Sequence, residues 1–361
     1  MTAGKPAFCS EAVRLAGLCT FIVGLHVLGW GLYVHYAGAY PSMVGLGVAA
    51  YLFGLRHAFD ADHIAAIDDT VRLMLQQGKR PLAVGFFFSL GHASIVLGLC
   101  VAIAHAASLV KQHLPLLQNL GGILGASVSG IFLWIIGLLN LSVFLQMLQV
   151  LRRVRQTPHR HARVDDLLRQ RGFINRLLGG GLRKLVNHSW QMYPLGLLFG
   201  LGFDTASEVG MLAMTAGASS ANLPTPAILS LPILFAAAMC LMDSTDGVLM
   251  SKAYGWALLN PLRKILYNLT TTGLTIAVAL MIGTVELLQV FIQMTRRHGH
   301  ALDFIAGLDM GALGYLIVGI LLCAWIFSVA IWKIGRRWSA VKASAGVSGD
   351  DGCCHRADEP R

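Results

Sequence analysis

The chain has 361 residues, 55% of them hydrophobic and 13% charged, with a mean hydropathy of +0.64. Soluble domains carry about a quarter charged residues, so this composition excludes an ordinary soluble protein and points to an all-α, polytopic transmembrane helical bundle. The net charge of +10 does not imply nucleic acid, because Lys and Arg lie mostly between apolar runs, where they report topology and contact with membrane lipid headgroups.

Eight apolar segments are long enough to cross a hydrocarbon core of about 30 Å. They run roughly over 16–37, 43–67, 82–107, 121–149, 194–217, 228–251, 265–293 and 310–333. Lys5 and Arg14 ahead of the first resemble the basic flank of a signal peptide. The apolar run behind them has full-span length and more spans follow, so it reads as the first transmembrane helix. Arg72, Lys79 and Arg80 follow the second segment, and a dense basic set from Arg152 to Lys184 fills the loop 150–190. Lys252, Arg263 and Lys264 follow the sixth segment, and Lys333, Arg336 and Arg337 the eighth. The alternate loops, YAGAYPS and SSANLPTP, are nearly uncharged. The positive-inside rule then places both termini in the cytoplasm, with Arg296 and Arg297 as the exception.

One transmembrane domain over 1–338 is expected. Its loop 150–190 reads as a cytoplasmic linker with an amphipathic surface helix, and the polar tail 339–361 as disordered. LFGLRHAFDAD in the second span and LFGLGFDTASE in the fifth form a faint repeat running in opposite directions across the membrane, the plan of many secondary transporters. The seven cysteines include no CxxC pair, which argues against a disulfide framework or a structural zinc site.

Seven acids fall inside the spans: Asp60, Asp62, Asp204, Glu208, Asp243, Asp246 and Glu286. Against them stands Arg56. A charge at the bilayer centre costs on the order of 3 kcal/mol, so this excess of carboxylate calls for a cation. His57 and His63 in the second span, His92 in the third and His26 in the first accompany the acids. Imidazole with carboxylate suits a divalent transition metal such as nickel, cobalt, zinc or manganese, whereas Mg²⁺ and Ca²⁺ prefer oxygen alone.

At about 100° per residue, His57, Asp60 and His63 share one broad helix face, while Asp62 lies about 140° from His57. Either the helix is distorted here or Asp62 serves another contact. Asp204 with Glu208, and Asp243 with Asp246, each share a face. Arg56 is a candidate partner for Asp60. Asp68 and Asp69 read as solvated at the cytoplasmic interface. The HGH at 298–300 and the CCH at 353–355 read as chance metal bait in flexible segments.

RHAFDADHI, with His57, Asp62 and His63 in H-x4-D-H spacing, resembles the second-span signature of the nickel/cobalt transporter (NiCoT) family. SLGHAS around His92, LGFDTASEVGM around Asp204 and Glu208, and LFAAAMCLMDSTDGVLM around Asp243 and Asp246 are similar to further family segments in the same order. The resemblance covers all eight spans. It implies cytoplasmic termini in a bacterial plasma membrane and uptake of Ni²⁺ or Co²⁺ as substrate, with no cofactor. His26 falls where family members carry His or Asn.

The expected metal ligands are therefore His57, Asp62, His63, Asp60 and His92. His26, Arg56, Asp204, Glu208, Asp243 and Asp246 are expected along the path or behind the ligands. Export is the first alternative, although the long His-rich loop common in exporters is absent. An intramembrane metalloenzyme is the second, and no HExxH motif occurs. No Walker motif is present either, which argues against direct use of ATP.

Overall fold

The computed structural model describes residues 7–156, 186–202, 206–221, 223–257, 261–297, 299–320 and 323. Most of the loop 150–190, the tail 339–361, Asp204 and the CCH at 353–355 lie outside the described residues. The chain divides into two compact units, Met1–Ile317 and Val318–Arg361. Of the second, 318–320 and Cys323 are described.

The described residues are helical: α1 (Ala7–Ala37), α2 (Leu46–His57), α3 (Ala61–Gln76), α4 (Val84–Gln156), α5 (Met192–Phe199), α6 (Ala206–Ser220), α7 (Thr225–Ala257), α8 (Pro261–Thr295), α9 (His300–Ala306) and α10 (Met310–Ile320). Single 3₁₀ turns precede α2 and α5. Five stretches are long and apolar enough to cross a membrane, or up to seven if the bent pairs leading into α3 and into α10 each count as one span.

The helical run of α4 contains two of these stretches, Val84–His105 and Leu120–Leu145. It is not a straight rod. Phe88 and Phe132 would stand about 66 Å apart on one, yet both rings pack edge-on against Phe199, at 5.1 and 6.1 Å. The two stretches therefore fold back on each other and embrace α5.

Large apolar side chains face outward on α1, α4 and α7, with Val27 68%, Leu124 57% and Leu249 60% exposed. An apolar exterior of this kind needs lipid, not water, around it. The interior is closed by small residues that let backbones approach. The decisive case is Gly85, where a Cβ would collide with the Asp243 carbonyl, so α4 and α7 meet at the level of that carboxylate.

The second span is broken. α2 ends at His57, residues 58–60 turn, and α3 leaves at 52° to α2. Asp60 is extended at φ −63° and ψ 144° and starts α3. Tight bonds brace the turn, Phe59 N–H to Arg56 O at 3.0 Å and Asp60 N–H to His57 O at 2.9 Å. In the fifth span α5 ends at Phe199, inside its LFGL, and α6 begins at Ala206, with residues 203–205 outside the described ones.

Candidate metal centre

The break in the second span brings the signature residues together. His57 closes α2, Asp60 lies in the turn, and Asp62 and His63 open α3. His92 comes from α4, Glu208 from the first turn of α6 and Asp243 from the middle of α7. The three imidazoles form a near-equilateral triangle. Ring centroids lie 4.6 Å apart for His57–His63, 4.6 Å for His57–His92 and 4.8 Å for His63–His92. One ligand atom from each lies within 4.8 Å of the other two. All three are buried, and Phe88 and Phe235 wall them in.

Each imidazole has its own carboxylate. His57 Nδ1 lies 2.8 Å from Asp60 Oδ2, His63 Nδ1 3.3 Å from Asp243 Oδ2, and His92 Nε2 2.7 Å from Glu208 Oε1. A carboxylate on Nδ1 holds the proton there and leaves the Nε2 lone pair of His57 and His63 for the centre of the triangle. His63 Nε2 and His92 Nδ1 have no hydrogen-bond partner among the described residues. His57 and His63, each backed by a carboxylate on Nδ1, together with His92 and the Glu208 carboxylate that meets its Nε2, are a donor set able to hold one divalent transition metal.

His57 and His92, with Asp60 and Asp62, line a cavity of about 490 Å³, and His63 completes the triangle outside that lining. Arg56 and Asp309 stand in its wall and pair at 3.6 Å, both well exposed. The linker 307–309 is held over the cavity by Gln289 Nε2, which donates to Ile305 O at 3.0 Å and Leu308 O at 3.3 Å.

Several expectations change here. Arg56 pairs with Asp309, while Asp60 serves His57. The helix break supplies the distortion that the angular position of Asp62 required. Its Oδ1 accepts the His63 backbone N–H at 2.9 Å, and the residue lines the cavity beside the triangle. His26 lies apart, with Nδ1 2.8 Å from Ile22 O and Nε2 3.1 Å from Tyr51 Oη. Asp68 and Asp69 are not solvated: they are 2% and 1% exposed, because α3 continues inside the protein beyond the apolar segment. Arg72 is buried with them, so Arg56 is not the lone base among the acids.

Sequence reasoning counted Glu286 among the buried acids but gave no residue a role in this further wall of the cavity. Glu286, Gln289 and Gln293 recur at three- and four-residue spacing on α8 and line it together. That polar stripe on an apolar helix was a readable signal.

The chain matches the family profile described as NicO, high-affinity nickel-transport protein, over residues 43–331. It is 44% identical over 335 residues to the nickel transporter NixA of Staphylococcus aureus, covering 92% of this chain and 99% of that one. It is 43% identical over 319 residues to the high-affinity nickel-transport protein NixA of Helicobacter pylori, covering 87% and 95%. It is 46% identical over 279 residues to the cobalt transport protein NhlF of Rhodococcus rhodochrous, covering 76% and 79%. No solved structure matches. The chain therefore belongs to the NicO family of high-affinity nickel-transport proteins, a family of metal transporters and not of enzymes.

Proposed function

We propose that the protein is a permease that imports Ni²⁺ and Co²⁺ through a bacterial plasma membrane. The observation that carries this reading is the buried triangle of His57, His63 and His92, two of them lining a cavity, with a carboxylate against each imidazole. A hydrated ion enters the cavity and sheds water as nitrogens replace it, because an unliganded ion does not enter low dielectric. Asp60 and Asp62 stand beside the triangle as the nearest oxygen donors on the same span. The membrane potential supplies about 4.6 kcal/mol per 100 mV for a divalent ion, roughly a thousandfold gradient without ATP.

Eight crossings follow if the broken pair α5–α6 is counted with the five continuous stretches and the two bent pairs. Both termini then face the cytoplasm, as the loop charges require, and the transporter domain runs to about residue 338 with the tail 339–361 on the cytoplasmic side.

Uptake of ⁶³Ni and ⁵⁷Co into cells expressing the protein, beside His57→Ala, tests the proposal. Accumulation lost in the variant supports it, and competition between the two metals ranks them. Faster loss of preloaded metal than in control cells would show export instead.

A further inference from the structure

The cavity has a second polar wall, which the imidazoles do not use. Glu286, Gln289 and Gln293 line it from α8 and Ser129 from α4. The two helices cross at a pair of glycines. A Cβ on Gly130 would stand 3.0 Å from the Gly283 carbonyl oxygen, and one on Gly283 would stand 2.9 Å from that of Gly130. Ser129 adjoins this contact, and Glu286 lies one turn beyond Gly283. Close approach of the two backbones therefore fixes where both residues meet the cavity.

The wall is built of acceptors. Glu286 brings a carboxylate and is 4% exposed. Gln289 commits its amide nitrogen to Ile305 O and Leu308 O, so its amide oxygen is the end left to accept. Ser129 is 2% exposed, and its Oγ has no hydrogen-bond partner among the described residues. Ser94 and Ser127 on the same helix satisfy their hydroxyls on a carbonyl one turn earlier, and Ser129 does not.

Size and chemistry together select a ligand. A small divalent metal in water carries an octahedral shell of oxygens. Six waters occupy about 180 Å³ at their liquid volume, and the cavity measures about 490 Å³. The ion can therefore enter with its shell intact. Waters on a divalent metal are polarised donors, which makes them strong partners for a carboxylate. Contact through water leaves the metal's own bonds untouched, so the charge stays solvated until it reaches His57 and His92 on the same cavity.

We propose that Glu286, Gln289 and Ser129 form an outer-sphere docking site for the hydrated divalent cation, occupied before any protein atom bonds to the metal. The proposal rests on the transport reading and topology above, in which the linker 307–309 faces the outside and the cavity is the entrance. The wall then reads charge and hydrated size, and the imidazoles read the metal.

Hexaamminecobalt(III) is the probe. It has the size and the outward donors of a hydrated ion, but it does not exchange its ligands and so cannot bond to the triangle. Purified full-length protein in nonionic detergent at physiological salt is dialysed against the complex, and bound cobalt is counted. One saturable site per chain is expected. Glu286→Gln should weaken it by about tenfold or more. His63→Ala removes the corner of the triangle outside the cavity lining. It should abolish tight ⁶³Ni binding and leave the complex bound within about twofold. If Glu286→Gln does not purify as a single species, Ser129→Ala takes its place and should weaken binding by about threefold or more. Absence of saturable binding to the wild type, or binding that the variant leaves unchanged, overturns the inference. In proteoliposomes the complex should inhibit ⁶³Ni uptake competitively, and uptake that it does not inhibit also overturns the inference. A wild type that binds the complex but takes up no ⁶³Ni would overturn the transport reading instead and leave the docking site standing.

Discussion

His57 and His92 face each other through their Nε2 atoms at 2.9 Å, with Glu208 Oε1 2.7 Å from one and 3.7 Å from the other. Two nitrogens bound to one metal at about 2.0–2.1 Å in neighbouring positions stand about 3 Å apart. The pair is therefore already spaced for a shared ion, and three helices have to pack correctly to set that spacing. His92→Ala should lower the initial rate of ⁶³Ni uptake at nanomolar metal by more than about tenfold. Glu208→Gln keeps an acceptor but loses the charge beside the two facing Nε2 atoms, and a loss of about 10–100-fold in metal affinity is expected. Equilibrium ⁶³Ni binding to the purified protein separates this loss of affinity from a loss of turnover.

The Arg56–Asp309 pair predicts a different phenotype. Both side chains are substantially exposed, 41% and 60%, so the pair contributes less than about 1 kcal/mol to stability. Its effect lies in the field at the cavity, where an unpaired guanidinium repels a cation. Asp309→Asn should raise KM for Ni²⁺ roughly two- to fivefold at low ionic strength, with the maximal rate nearly unchanged. The difference should fade above physiological salt, where screening shortens to a few ångströms. An effect independent of salt would mean that Asp309 acts through the linker 307–309 instead.

His26 is expected along the path because it accompanies the buried acids and falls where members of the resembled family carry His or Asn. In the structure its purpose is local, since both ring nitrogens are occupied, by Ile22 O and Tyr51 Oη. His26→Ala should cost about 1 kcal/mol of stability through the lost bonds and leave the number of Ni²⁺ ions bound per chain unchanged, with uptake within about threefold of wild type. Uptake and binding stoichiometry, measured on the same preparation, check this.

The centre was legible in the sequence wherever expense marked it. Charged and imidazole side chains in apolar runs stand out, and His57, Asp60, His63, His92, Glu208 and Asp243 were all visible in this way. Their pairing was not, because it depends on the turn at 58–60, where no proline or glycine announces a break. Asp68 and Asp69 were misplaced for a related reason. The apolar segment ends near Ile67, but α3 runs on to Gln76 with its polar residues packed inside, and hydropathy cannot distinguish a helix leaving the membrane from one passing through a protein interior.

A glycine lets α10 pack directly against this break. At Gly314 on α10 a Cβ would run into the carbonyl of Phe59 and crowd the Ala61 nitrogen, both on the turn between α2 and α3. Backbone atoms cannot swing away as a side chain can, so Gly314→Ala must push α10 outward or straighten the turn that separates His57 from His63. Overpacking of this kind costs about 1–3 kcal/mol. Gly98 on α4, where a Cβ would meet nothing within 4 Å, supplies the control, since alanine there improves helix propensity by up to about 1 kcal/mol. Thermal unfolding in detergent should place Gly314→Ala below wild type and Gly98→Ala at or above it. If the turn sets the triangle, Gly314→Ala protein that remains folded should also bind Ni²⁺ more weakly, by tenfold or more, although Gly314 has no donor atom to offer the ion. Full Ni²⁺ affinity in a folded Gly314→Ala protein would show that the triangle does not depend on the α10 contact.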